Sequence, residues 1–157
     1  MITLTFSEFY RGDYRDQGFE LYIVKDSEEK IMYIRISRDT IWYRWFGGVN
    51  SHMMPGLNVS LRGNSIIGEV IARRFPDSWD WHIELWTKED CIVGFRDDLI
   101  GLTLDNITIE QIESYLIQRF LPLYNVMHAG GSHEDPLLTH SLDNAYKKIF
   151  GSDEPMQ

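Results

Sequence analysis

The chain has 157 residues, 43% of them hydrophobic and 13% aromatic, with a formal net charge of −9. That length suits one domain able to bury its own core, and so many rings exclude a disordered chain. The acidic balance argues against non-specific attachment to nucleic acid, yet Arg35, Arg38, Arg44, Arg62, Arg73 and Arg74 share one stretch and leave room for a local basic face.

Residues 1–18 read as a short strand or arm with an exposed turn, and Met1 to Phe6 lacks the basic region of a secretory signal. Residues 19–37 read as a β-hairpin, two β-branched and aromatic runs around the polar turn 25–30. Asp39 or Thr40 then caps a predicted helix that puts Trp42, Trp45 and Phe46 on one face and stops at Gly47-Gly48. A loop over 47–62, with His52, precedes a predicted helix over 65–75 that Pro76 ends. Residues 79–86 alternate, with Trp79, Trp81, Ile83 and Leu85 on one side, which predicts a half-buried strand. Thr87 caps a short helix with Glu89 and Asp90 in its first turn. The one cysteine, Cys91, lies in an apolar run there; it excludes an internal disulfide and reads as a small core residue.

The plainest helix is 108–120, opened by the capping box Thr108 and Gln111, with Ile109, Ile112, Leu116 and Phe120 as its apolar stripe. A loop over 128–139 and a short helix over 141–150 follow. No run reaches the roughly 18–20 apolar residues that span a bilayer. The expected location is therefore cytoplasmic, without membrane contact. The five histidines form no helical i, i+4 pair, and Gly130-Gly131-Ser132 lacks the strand and lysine of a phosphate loop.

Taken singly, the chemistry-bearing residues have plain readings. Tyr22 and Tyr33 suit strand packing, and Glu113 a solvated helix face. Arg44 suits a cation–π contact with the tryptophans, and Asn125 a turn. Their order changes the reading. Glu113, then Leu116-Ile117, then Pro122-Leu123-Tyr124-Asn125 resembles the segment of GIY-YIG nucleases in which a helical glutamate precedes Pro-x-Tyr-Asn, the excision-repair branch above all. Leu21-Tyr22-Ile23 then stands at the family's Gly-Ile-Tyr element, Tyr33-Ile34-Arg35 at its Tyr-Ile-Gly element, and Arg44 at its helical arginine.

The resemblance implies an α+β fold, a small, mostly antiparallel three-stranded sheet flanked by helices. It implies an N-terminal arm over 1–18, the family domain over 19–126 and a C-terminal loop and short helix over 127–157. It also implies a divalent-metal-dependent endonuclease acting on DNA, branched or damaged DNA included. Glu113 would hold Mg²⁺ or Mn²⁺, and Arg44 would bind the phosphate. Tyr22 would activate or orient the water with Tyr33 in support, and Asn125 would fix the site. Glu20 and Arg35 replace the family's two glycines, and Gly48 stands where a histidine or tyrosine follows the arginine, with His52 near enough in sequence to substitute. These departures define the alternative, a catalytically degenerate domain that binds nucleic acid or protein. A third reading is a plain interaction module with a Trp-rich surface as the contact, which exposure of Trp42 or Trp86 would favour. The oligomeric state is open.

Overall fold

The computed structural model describes residues 1–12, 14, 18–47, 51–53 and 65–125. The expected C-terminal loop and helix over 127–157, with most of the expected loop over 47–62, lie outside the described residues. The expected hairpin forms from β2 (Leu21–Lys25) and β3 (Ile31–Ile36). Asp26 closes its turn by accepting from the backbone N–H of Glu28 and Lys30, while Glu29 takes the left-handed φ of 64°.

The sheet is α+β in setting and wholly antiparallel, but it has four strands in the order β1-β4-β2-β3, which corrects the expected three. The extra strand is β1 (Ile2–Thr5), paired with β4 (His82–Trp86) from Ile2 opposite Leu85 to Thr5 opposite His82. Its chain continues into α1 (Phe6–Arg11), opened by a capping box between Thr5 and Glu8. Phe6 and Phe9, one turn apart, are fully buried, so residues 1–12 belong to the core of the domain. The short strand is one of the two readings the sequence allowed; its place in the sheet was not legible, because four strand residues carry little periodicity and their pairing with β4 decides it.

Strand β4 lies between β1 and β2, so both its edges are paired, and a core packs on each of its faces. This corrects the half-buried strand. Ile83 and Leu85 join Trp81 in one core, while Glu84 and Trp86 are buried on the other side. Glu84 pairs there with Lys25 at 2.8 Å and accepts from the Trp86 indole at 3.2 Å. The predicted start at Trp79 is instead a 3₁₀ turn over Asp77–Asp80.

Helices cover both faces. Over the first lie α1, a π-helical turn (Tyr43–Gly47) and α2 (Ile66–Arg73), opened by Ser65 and ending before Pro76 as its spacing predicts. Over the second lie α3 (Lys88–Gly94) and α4 (Ile109–Phe120), each opened by its own capping box. Glu20, at one of the replaced glycines, accepts the Lys88 N–H at 2.8 Å and so caps α3. Cys91 is buried in this second core, and burial, with Asp90 beside it, pushes its thiol up to about 12, an unreactive state. Among the described residues no helix is long and apolar enough to cross a membrane.

Candidate active site

Residues paired across antiparallel strands share a face. Tyr22 lies opposite Arg35 and Val24 opposite Tyr33, so Tyr22, Tyr33 and Arg35 share the first face, the one with the aromatic core. The Tyr22 and Tyr33 ring centroids are 6.2 Å apart. Tyr22 is 0% exposed, so its hydroxyl needs a partner within the protein. It has one in His52, whose Nε2 lies 2.6 Å from the Tyr22 oxygen.

His52 is 1% exposed and held from every side. Its backbone N–H donates to the Arg44 carbonyl at 2.9 Å, and the Met53 N–H to that of Trp45 at 2.9 Å, which locks residues 52–53 onto the π-helical turn. Its ring lies 4.3 Å from that of Trp45 and 5.7 Å from that of Tyr33. Its Nδ1 lies 2.7 Å from the Ser65 oxygen, which also accepts the Gly68 N–H as the cap of α2. Gly68 is required there, because a Cβ on it would collide with the His52 carbonyl. The result is a buried chain Ser65–His52–Tyr22, complete in either tautomer of the ring.

Electrostatics fix the protonation of this chain. Burial, reinforced by Arg44 and Arg35, pushes His52 well below its ordinary value of 6.5, so the ring is neutral. Burial, with Tyr33 beside it, pushes Tyr22 well above its ordinary value of 10.0 against the pull of Arg44 and Arg35. Burial raises Tyr33 in the same way, against Arg35 and Arg44. A tyrosine base needs its pKa depressed by nearby positive charge; here desolvation outweighs the two arginines, and Tyr22 keeps its proton at neutral pH.

Glu113 and Asn125 reach the same strand from outside, at the open edge of β3. A buried strand edge leaves backbone groups that must be paired. Asn125 takes two of them, accepting from Ile34 N–H and donating to the Ile34 carbonyl, both at 2.8 Å. Tyr124 N–H donates to the Met32 carbonyl at 2.9 Å. Glu113 Oε2 accepts the Ile36 N–H at 2.8 Å. Glu113 is thus a buried residue, 8% exposed, and not on the solvated face that its helical position alone suggests. Burial raises its pKa, opposed by the Ile36 N–H and then by Arg35.

The fold therefore gathers Tyr22, Tyr33 and His52 in contact, with Arg44, Arg35 and Glu113 within electrostatic reach of the two tyrosines. Asn125 stands on the strand edge and bonds to backbone. Arg35 forms no ion pair with Glu113 within 4 Å, so the two do not close the site on each other. Gly48, the third departure, lies outside the described residues. Trp42 and Trp86 are 9% and 8% exposed, so neither gives the interaction-module reading the support that exposure would. Ser65 was legible only as a helix cap; nothing local in the sequence marks it as the partner of a histidine thirteen residues earlier.

Among the described residues no three His, Cys, Asp or Glu side chains cluster. One carboxylate with water completing the shell is a set that Mg²⁺ accepts. Glu113 fits that role with Oε1, which has no hydrogen-bond partner among the described residues. No family model, curated protein or solved structure matches the chain.

Proposed function

We propose that the protein is a divalent-metal-dependent endonuclease that hydrolyses DNA phosphodiester bonds. The observation that carries this reading is the 2.6 Å bond between Tyr22 Oη and neutral His52 Nε2, deep in the fold and flanked by two arginines. A tyrosine that keeps its proton is a poor base alone. With Nδ1–H donated to Ser65, His52 Nε2 is free to take the Tyr22 proton as the tyrosine oxygen takes one from water. Arg44 supplies a planar, permanently charged fork for the phosphate. Glu113 would hold the metal ion, whose chemistry is to neutralise the phosphate and the leaving oxygen. Asn125 keeps β3, and with it Tyr33 and Arg35, in place.

One observation favours the second reading, a domain that binds without cutting: Tyr22 has no exposed surface through which water could reach its oxygen. The test is incubation of wild type and Glu113→Gln with supercoiled and branched DNA in Mg²⁺, Mn²⁺ or EDTA. Glutamine keeps an acceptor for Ile36 N–H, so the variant folds. Metal-dependent nicking by wild type alone is the expected outcome. Absence of nicking by folded wild type in every condition sinks the nuclease reading in favour of the binding domain.

A further inference from the structure

A guanidinium that reaches solvent and has no carboxylate partner is open to an anion with the fork geometry of a phosphate. Arg35 is half-buried, and no carboxylate lies within 4 Å of it among the described residues. Its register opposite Tyr22, on the same face as Tyr33, aims it at the candidate site. The groups on that face within its electrostatic reach, Tyr22, Tyr33 and His52, carry no charge at neutral pH. Glu113, the acid that acts on this group, is tied through Oε2 to the N–H of Ile36, the residue after Arg35. A packing role does not require a charged side chain at this position; methionine or glutamine would fill similar space.

We propose that Arg35 is a phosphate-binding residue of this site, taking a nucleic-acid backbone phosphate beside the one assigned to Arg44. The inference rests on the nucleic-acid reading above, but not on cleavage. Arg35 and Arg44 come from different elements, the edge strand and the π-helical turn, and His52 ties that turn to β2, the strand paired with the edge strand, by bonding to the Arg44 carbonyl and to Tyr22. Two forks on one site select a chain of phosphates over a single anion, because each fork pairs with its own phosphate.

The test is fluorescence anisotropy of a labelled DNA duplex with the full chain in EDTA over a range of salt, for wild type, Arg35→Gln and Arg35→Lys. Circular dichroism verifies the fold of each. Arg35→Gln is expected to weaken binding roughly five- to tenfold and to lower the slope of log K against log salt by about 0.9, one phosphate contact on duplex DNA. Arg35→Lys keeps the charge and the slope while losing the fork, so its affinity falls only about two- to threefold. Inorganic phosphate, offered as competitor, displaces the duplex only at far higher concentration. Equal affinity and slope for wild type and Arg35→Gln overturns the proposal, as does wild type that binds no duplex at any salt, or displacement by phosphate as readily as by unlabelled duplex. Binding that depends on Arg35 in a protein that never nicks DNA upholds this inference while the nuclease reading fails. Nicking with binding indifferent to Arg35 does the reverse.

Discussion

The two faces of the sheet are built from different materials. The second face, under α3 and α4, is mainly aliphatic: Leu21, Ile23, Ile34, Leu99, Ile112 and Leu116. Its deeply buried acid, Glu84, is neutralised by Lys25. The first face packs rings, among them Phe6, Phe9, Tyr22, Trp45, Phe46 and Trp81, and threads the chain Ser65–His52–Tyr22 through them. An aliphatic core is the cheaper way to fill space, because a buried polar group has to be paired to avoid a penalty. A domain that needed only a core had no cause to bury a histidine and a tyrosine hydroxyl on one side. On the proposed reading the second face supports and the first works, with Glu113 and Asn125 bonded to the β3 edge.

This contrast can be broken by substitution. Leu116→Ala, in the supporting face, should cost about 2–5 kcal/mol by leaving a cavity. Urea unfolding measures that cost, and the folded variant should bind DNA as wild type does; impaired binding would mean that the two faces are not separable. Asn125→Ala should come next, at roughly 2–4 kcal/mol, since it strips both backbone groups of Ile34 at once. A loss well under 1 kcal/mol in the same unfolding assay would show that water replaces the asparagine and that the edge is open.

Tyr22→Phe should cost about 1–3 kcal/mol, the penalty for leaving His52 Nε2 buried without a partner. Unlike Leu116→Ala, it should also abolish nicking; retained nicking would remove Tyr22 from the chemistry. The smallest and most diagnostic effect is in pH. His52 is neutral when folded and titrates near 6.5 when unfolded. As pH falls below 6.5 the unfolded chain takes up a proton that the folded one refuses, so stability drops, by at most about 1.4 kcal/mol per pH unit for one proton. His52→Gln should flatten that part of the stability curve. An unchanged slope would place the titration on another group.

Much of this protein is legible locally. The capping boxes at Thr87 and Thr108, the Ser65 cap, the stop at Pro76 and the hairpin turn at Asp26 all depend on residues within a few positions of one another, so the sequence by itself determines them. The burial of Cys91 follows from its apolar neighbours in the same way. What the tertiary structure decided is the set of long-range choices. Residues 2–5 became a strand because β4 offered an edge, and β4 is buried on both faces because a core closes over each side of the sheet. Glu113 left the solvated face its helical position suggests because β3 presented an unpaired N–H, 77 residues away in sequence. His52 met Tyr22 across 30 residues through the π-helical turn and Gly68. A pattern of residues can name the groups that could do chemistry. Their partners, their burial and hence their protonation belong to contacts that exist only once the chain has closed on itself.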